Sequence, residues 1–282
     1  SKGVTACEQL LAFIHAEFAK IGEDPDLVQM IPAPGSKECT QRLMEICDKV
    51  VATGSQNNVH RAQTCGTPAV AVGAGNVTVI VDETADLDAA AEKIRASKTF
   101  DNATSCSSEN AVVVVDAVYA AFAAAMARHG GAVVEDEAGV VAKLWPGGHL
   151  NKEVIAQDAD KMLRALGLEG LVPDGTDYIA VPTSGIGPDH PLSGEKLSRV
   201  LAIYRAPDFD AAVATTRAIQ THQGAGPSVG LHSSHAARPM ALARAIPTSR
   251  RANPLWMTFF RASGVRQASE AGPLRPALWH GA

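Results

Sequence analysis

The stretch that decides the fold is NVTVIVDETADLDAAAEKIRASKTFDNATSCSSENAVVVVDA, residues 76–117. It contains two short apolar runs, VTVIV and AVVVV, which are typical of buried strands. The segment between them, residues 85–98, is predicted to be a helix. A strand, a helix and a second strand in this order predict a βαβ unit, in which the two strands pair in parallel.

The flanking sequence continues the alternation of short strands and helices. Further strands are predicted at residues 27–31, 49–53, 68–72, 176–182, 199–205 and 228–233. Further helices are predicted at residues 5–22, 36–47, 56–65, 117–130, 137–145, 151–167 and 208–222. Thr5 and Ser36 are the expected N-caps of the first two helices, because a short hydroxyl side chain can accept from the first free N–H groups. The whole pattern predicts an α/β fold with mostly parallel sheets.

Two turns are candidate ligand-binding segments. Thr53 and Gly54 end one predicted strand, and Gly73 to Asn76 follow the next. In parallel sheets ligands collect at the carboxyl ends of the strands. Both turns are therefore expected to face a ligand.

Composition excludes several classes of function. The net charge of −5 argues against a nucleic-acid or anionic-membrane surface, since either needs concentrated Lys and Arg. No apolar run approaches the roughly 20 residues that span a bilayer, and the N-terminus lacks the regions of a signal peptide. The five cysteines are spread singly along the chain, with no CxxC pair, and their number is odd. This spacing argues against a disulfide framework and a structural zinc site, and it predicts reduced thiols in the cytoplasm.

Cys106 is the cysteine with the most reactive setting. It lies in a polar turn just before a buried strand, where backbone N–H groups can lie near the thiol. A free cysteine is more often a small buried hydrophobe, and that interpretation holds for the cysteines on or at the end of helical patterns. Those cysteines are Cys7, Cys39, Cys47 and Cys65.

Several motifs in order carry a family resemblance. ATGS, GAGN, DETAD, SKTFDN, the cysteine loop and GEKLS occur between the N-terminus and about Ser249. Together they resemble the CoA-acylating branch of the aldehyde dehydrogenase superfamily. The resemblance implies a partial Rossmann-type dinucleotide-binding domain at residues 1–97 and a catalytic domain at residues 98–249. It also implies a chain truncated at its N-terminus, and residues 250–282 form a tail that matches nothing in the family.

The resemblance also assigns roles to single residues. Cys106 matches the nucleophile, which attacks the aldehyde and retains the acyl group as a thioester after oxidation by NAD or NADP. Thr53, Gly54 and Ser55 match a turn that faces the cofactor, and Gly73 matches a second cofactor contact. The carboxylate that binds a cofactor ribose is matched by Glu195 in GEKLS.

One absence favours CoA as the acyl acceptor. Hydrolytic members of the superfamily carry a Glu in the glycine motif before the cysteine loop, and that Glu activates water. Residues 65–81 contain no carboxylate here, so attack by water on the thioester should be slow. The inference would be weaker if Asp82 or Glu109 reached the site. In addition, Pro227 stands where the family has a histidine.

The nearby histidines take over no role in this interpretation. They are His222, His232 and His235. A single histidine is more often structural than catalytic, and the pair in HSSH lacks a third metal ligand. No metal is therefore expected.

The expected substrate is a short aldehyde. Residues 144–162 and 185–198 look most like the sulfoacetaldehyde subgroup, with succinate semialdehyde or a simple C2–C3 aldehyde as alternatives. The resemblance implies a homo-oligomer. Two other hypotheses remain open: a cysteine acyltransferase or hydrolase without a redox cofactor, and an inactive chain that acts at most as a binding or assembly module. Two origins of the unmatched tail stay open: a frameshift near Arg250, where the pattern is lost abruptly, and a divergent tail.

Overall fold

The computed structural model describes residues 4–73, 75–223, 228–246 and 250–252. Two compact units are present, Ser1–Gly73 and Ala74–Ala282. Pro227 and residues 253–282 of the predicted tail lie outside the described residues. None of the helices in the described ranges is long and apolar enough to cross a membrane.

The first unit contains three helices and a two-stranded parallel sheet. Its elements in chain order are α1 (Val4–Ile21), α2 (Lys37–Ile46), β1 (Val50–Thr53), α3 (Gln56–Thr64) and β2 (Ala69–Val72). β1 and β2 pair with Val50 opposite Ala69. A small core of Val50, Ala52 and Ala62 joins this sheet to α3.

Two predictions about the first unit are wrong. The predicted strand at residues 27–31 is absent, because a 3-10 turn at Pro25–Leu27, capped by Asp24, precedes a segment without regular structure. Thr5 is not an N-cap, since α1 begins at Val4 and already contains it. The cap at Ser36 is confirmed: its Oγ accepts from Cys39 N at 3.0 Å.

The second unit is a parallel sheet of seven strands with helices on both faces. Its elements are β3 (Val77–Val81), α4 (Leu87–Thr99), β4 (Glu109–Val115), α5 (Tyr119–Arg128), β5 (Gly131–Val133), α6 (Glu137–Leu144), α7 (Ala159–Leu166), β6 (Tyr178–Pro182), β7 (Val200–Ala206), α8 (Phe209–Gln223), β8 (Ser228–His232), α9 (Arg238–Ala245) and β9 (Arg250–Ala252). The strand order is β5-β6-β7-β4-β3-β8-β9. Every pair of neighbouring strands is parallel, so the predicted α/β class is confirmed.

The strand β4 shows why its sequence is so apolar. All seven of its residues are buried. Val112 and Val114 pack into a core with α4 and α5, whereas Ala111 and Val113 pack into a core with α6, α7 and α8. A strand that is covered on both faces has no solvent-facing position, which explains a continuous valine run instead of alternation.

The prediction of a helix over residues 151–167 is only half right. α7 begins at Ala159, and Ala156 has a left-handed φ of 59°, which a continuous helix cannot contain. The short β5, α9 and β9 are additional elements that the sequence patterns did not predict.

The predicted domain boundary at Ser97 falls inside α4, which packs on the seven-stranded sheet. The contacts divide the chain after Gly73 instead. Residues 74–97 therefore pack with the residues that follow them. The assignment of dinucleotide binding to residues 1–97 and of catalysis to residues 98–249 stays a prediction.

Candidate active site

The cysteine loop lies at the amino end of β4. Cys106 is exposed there, at the tip of a turn in which Ser108 N donates to Ser105 O at 2.9 Å. The hydroxyls of Ser105 and Ser107 are 2.8 Å apart, which ties the residues on either side of the cysteine to each other. The loop therefore presents the thiol from a hydrogen-bonded turn that is anchored directly to a buried strand.

A run of left-handed backbone precedes the loop. Asp101, Asn102 and Ala103 have φ values of 48°, 51° and 60°. Asp and Asn adopt this region more readily than other residues with a Cβ, whereas Ala103 has no such tolerance, and a strained residue of this kind costs on the order of 1–3 kcal/mol. Three in succession persist only where the surroundings hold them, and such strain clusters at functional sites.

Asn110 joins three of the motifs found in the sequence. Val77 is opposite Glu109 and Thr78 is opposite Ala111, so the register shifts by one residue and Asn110 is the extra residue of a bulge. Its Nδ2 donates to Gly75 O at 3.1 Å, and its Oδ1 accepts from Lys196 N at 3.0 Å.

The carboxylate of Glu195 lies at the same junction. One of its oxygens accepts from Gly75 N at 3.3 Å, and its own N–H donates to Gln223 Oε1 at 2.8 Å. Asn76 is fully buried and donates to Ser193 O at 2.7 Å and Ile219 O at 3.0 Å. Gly75 and Asn76 of the GAGN motif, the start of β4 and the GEKLS segment therefore meet at one edge of the sheet.

Two lysines are buried at this edge. Lys98 donates from Nζ to Glu109 O at 2.7 Å, and Lys196 donates to Leu192 O at 2.6 Å and Gly194 O at 2.7 Å. Burial lowers the pKa of Lys98 to about 7, although the charges of Glu109 and Glu195 oppose the shift. Burial also lowers the pKa of Lys196 well below its usual value.

Two carboxyl groups at the same edge shift the other way. Burial raises the pKa of Glu109 to about 7, and burial also raises the pKa of Glu195. Acids and bases whose pKa values are displaced from their usual ranges are typical of catalytic sites.

The structure shows whether Asp82 or Glu109 could activate a water molecule to attack a thioester on Cys106. β3 and β4 are parallel, Cys106 precedes β4, and Asp82 follows the last residue of β3. Five strand residues separate the two edges, or about 16 Å at 3.3 Å per residue. Asp82 is therefore far from the thiol and instead contacts Arg238 Nη1 at 2.7 Å. Glu109 does lie at the edge of Cys106, but it is only 1% exposed.

The remaining predicted cofactor residues belong to the first unit. Thr53 ends β1, and Gly73 follows β2. Gly54 has a φ of 132°, which favours glycine, and its N–H donates to Val72 O at 3.2 Å. Ser55 is the N-cap of α3 and accepts from Asn58 N at 3.4 Å. The expected position of these turns at the carboxyl ends of strands is confirmed, and their contact with a cofactor stays a prediction.

His232 lies at the carboxyl end of β8, where it is opposite Val81 of β3. The cysteine loop lies at the other edge of the sheet, where the strands begin. It is buried, and burial lowers its pKa to about 4. A histidine that stays neutral away from the thiol agrees with a structural role. Among the described residues, no three His, Cys, Asp or Glu side chains form a group that could hold a metal ion.

Sequence reasoning missed Lys98, Asn110 and Lys196. A signal for Lys98 is present: it follows Ala90 and Ile94 at intervals of four, so the helical period places it on the buried face of α4. Asn110 has no such local signal, because its partners Gly75 and Lys196 are distant in sequence. The side-chain partners of Lys196 are local, but nothing in the GEKLS motif indicates that this lysine is buried.

Comparison with known proteins identifies the family of the chain. A family model described as "Aldehyde dehydrogenase family" matches residues 4–137. A sulfoacetaldehyde dehydrogenase (acylating) from Cupriavidus necator is 49% identical over 251 residues, which are 88% of this chain and 51% of that protein. The chain belongs to the CoA-acylating branch of the aldehyde dehydrogenase family.

Two further aldehyde dehydrogenases support the assignment. A sulfoacetaldehyde dehydrogenase (acylating) from Bilophila wadsworthia is 38% identical over 83% of this chain and 51% of its own length. The crystal structure of a probable aldehyde dehydrogenase from Listeria monocytogenes matches with a TM-score of 0.75 and 28% identity, and covers 81% of this chain and 52% of that one. The chain thus spans about half the length of the aldehyde dehydrogenases it matches, and the family resemblance seen in its motifs is confirmed.

Proposed function

We propose that this chain supplies the nucleophile of an NAD(P)-dependent, CoA-acylating aldehyde dehydrogenase that acts on a short aldehyde. The observation that carries the proposal is the position of Cys106. It is exposed on a hydrogen-bonded loop at the edge where the GAGN and GEKLS segments meet. A thiol held in this way can attack a carbonyl carbon and retain the acyl group as a thioester.

The residues at this edge fit a nucleotide cofactor. One oxygen of Glu195 accepts from Gly75 N, and a carboxylate has further acceptor capacity for the hydroxyl groups of a ribose. In the first unit, the Thr53–Ser55 turn leads directly into the N-terminus of α3, where N–H groups and the helix dipole favour phosphate. When bound, NAD or NADP accepts the hydride and CoA provides the thiol that receives the acyl group.

The surroundings of Cys106 favour CoA over water as the acyl acceptor. No carboxylate occurs in residues 65–81, and Asp82 lies at the opposite edge of the sheet. Glu109 lies at the right edge, but with 1% exposure its carboxyl group offers no surface to an attacking water. A thioester on Cys106 should therefore be long-lived until a thiol arrives.

Sulfoacetaldehyde is the favoured substrate. Both relatives described above are sulfoacetaldehyde dehydrogenases (acylating), and a succinate-semialdehyde dehydrogenase (acetylating) from Clostridium kluyveri is 33% identical over 84% of this chain. These names share a short aldehyde with an anionic group at the far end. A homo-oligomer is part of the proposal because the family resemblance implies it, and a cytoplasmic location because the five single cysteines are typical of reduced thiols.

A panel of aldehydes tests this function. The purified protein is assayed for NADH or NADPH formation with sulfoacetaldehyde, succinate semialdehyde and propionaldehyde, with and without CoA. We expect sustained turnover only with CoA, at a rate on the order of 1–10³ per second. Equal turnover with and without CoA would contradict the acylating proposal.

The nucleophile has its own test in the same assay. Cys106→Ala should lower activity by at least about 10³-fold, because the covalent step needs the thiol. Cys7→Ala is the matched control, since Cys7 is also an exposed cysteine and lies on α1. A Cys106→Ala protein that retains activity would remove the thiol from the mechanism.

A further inference from the structure

The left-handed residues of the second unit that carry a Cβ lie in three segments that hydrogen bonds join into one cluster. In the described ranges, the non-glycine residues with positive φ are Asp101, Asn102, Ala103, Ala156 and Leu197. They come from three segments that touch one another. Asn102 Nδ2 donates to Ala156 O at 3.2 Å, and Ala156 N donates to Leu197 O at 3.0 Å. The cluster therefore joins the turn before the cysteine loop to the segments that precede α7 and β7.

The side chain of Arg199 closes this cluster. Its Nε and Nη2 both donate to Asn102 Oδ1, at 3.0 and 2.7 Å, and its Nη1 donates to Asp177 O at 3.3 Å. The other end of the Asn102 amide donates to Asp158 Oδ1 at 3.2 Å as well as to Ala156 O. Asn102 is thus held from both sides by residues that lie 54 to 97 positions away in the sequence.

We propose that Arg199 is a positioning residue for Cys106, which acts by clamping Asn102 and so fixing the left-handed turn that carries the cysteine loop. The inference rests on the proposed role of Cys106. Left-handed residues with a Cβ relax to other conformations unless their surroundings prevent it. Only Ala103, Thr104 and Ser105 separate Asn102 from Cys106, so a relaxed turn would displace the thiol.

The sequence gives Arg199 no other evident purpose. It follows GEKLS directly, and the positions on either side of it belong to a buried segment. A guanidinium carries N–H groups on three nitrogens in one rigid plane, whereas an ammonium group is a single point of charge. Arg199 uses two of these nitrogens to donate to the one oxygen Asn102 Oδ1 and the third to donate to Asp177 O.

The first test replaces Arg199 by Ala and by Lys. Both variants should lower kcat by about 10- to 100-fold, since a displacement of about 1 Å costs that much, and should leave KM for the aldehyde and CoA nearly unchanged. Arg205→Ala is the matched control, because Arg205 lies near the other end of β7 and stacks over Tyr119 at 4.0 Å. A wild-type kcat in Arg199→Lys would overturn the proposed clamp, since a positive charge alone would then be enough to hold Asn102 in place.

The second test does not depend on turnover. Hydrogen–deuterium exchange reports on the amides of Thr104 and Ser108, which donate within the turn and the loop. Arg199→Ala should raise their exchange rates by about tenfold or more, whereas Arg205→Ala should not. Unchanged exchange in Arg199→Ala would overturn the proposal. If exchange rises but Cys106→Ala keeps its activity, the clamp stands and the proposed function fails.

A glycine variant separates the clamp from the backbone strain. Asn102→Gly adopts the left-handed conformation without cost but lacks the amide that Arg199 holds. We expect it to exchange as fast as Arg199→Ala and to lose kcat similarly. Wild-type exchange and kcat in Asn102→Gly would overturn the proposal. Because this variant keeps Arg199 and relieves strain, it also remains informative if Arg199→Ala does not fold.

Discussion

Each of the two edges of the seven-stranded sheet buries a carboxyl group, and the pKa values of the two groups shift in opposite directions. At the carboxyl edge, burial would raise the pKa of Asp82, but hydrogen bonds from Ser233, Thr84 and Arg238 outweigh it and lower the pKa. At the amino edge, burial prevails and raises the pKa of Glu109 to about 7. Compensated burial stabilises the fold, whereas uncompensated burial costs stability and is typical of functional sites.

The two edges also differ in how their buried cations are paired. At the carboxyl edge the cation, Arg238, contacts both Asp82 and Glu83 and stacks over Phe209 at 4.8 Å. At the amino edge the ammonium group of Lys98 donates to a backbone carbonyl, and burial lowers its pKa to about 7. The amino edge therefore holds an acid and a base whose pKa values burial shifts towards neutral from opposite sides.

The largest expected effect comes from breaking the compensated edge. Arg238→Ala leaves the buried Asp82 without its cation, which should lower the free energy of unfolding by about 3–5 kcal/mol. Urea denaturation measures the change. Arg128→Ala is the control, because its ion pair with Asp88 is exposed to solvent and should contribute little to stability. Equal losses in the two variants would show that the carboxyl edge is not structurally special.

The buried Glu109 at the amino edge should make the free energy of unfolding depend on pH. Folded Glu109, with a pKa of about 7, keeps a proton that the unfolded chain releases near pH 4.5, so its contribution to stability is present below pH 4.5 and is lost as pH rises to about 7. At about 1.4 kcal/mol per pKa unit, the loss is on the order of 3 kcal/mol.

Glu109→Gln checks this, since glutamine does not titrate. Relative to the wild-type protein, the variant should gain stability between about pH 5 and pH 7.5 in urea denaturation. Asp82→Asn should show the opposite sign, because a lowered pKa stabilises the fold at neutral pH and this contribution is lost in acid. A pH-independent difference between wild type and Glu109→Gln would contradict the raised pKa.

Asn110 should have an intermediate effect. Asn110→Ala leaves Gly75 O and Lys196 N without their side-chain partner in a buried setting, which costs about 1–3 kcal/mol. Because the same contacts tie together the GAGN and GEKLS segments, the variant should also bind nucleotide more weakly. Calorimetric titration with NAD measures the binding. Loss of stability with unchanged NAD binding would confine Asn110 to a structural role.

The smallest expected effect is at the rim of the amino edge. Arg95 and Asp177 form an ion pair at 2.6 Å, but their side chains are 47% and 30% exposed. Arg95→Ala should therefore change the free energy of unfolding by under about 1 kcal/mol, and salt should reduce the difference further. A loss above about 2 kcal/mol in thermal or urea denaturation would mean that this pair supports the cluster around Arg199.

Local sequence patterns predicted most of the fold. Apolar runs such as VTVIV and AVVVV identify strands that are buried on both faces, and Ser36 correctly marks a helix start. The failed predictions have physical causes. Residues 27–31 have a strand-like composition but pair with no other strand. The left-handed backbone of Ala156 prevents a helix from continuing through it, so α7 begins only at Ala159. β5 has only three residues and begins with glycine, so it carries no usable period.

The site was predictable only in part. Cys106 and Glu195 lie in motifs that can be recognised along the chain. The roles of Asn110 and Arg199 depend on partners that are 22 to 97 residues away, and no local pattern contains that information. The separation of Asp82 from Cys106 follows from strand direction, which becomes decisive only when the parallel register is known.

The most direct test of the account is a search for the acyl group on Cys106. The protein is incubated with the aldehyde and NAD or NADP but without CoA, and its peptides are analysed by mass spectrometry. We predict a mass increase equal to one acyl group on the peptide that contains Cys106, and its removal within seconds when CoA is added. Formation of NADH or NADPH with no modification at Cys106, or an acyl group on another residue, would contradict the central claim.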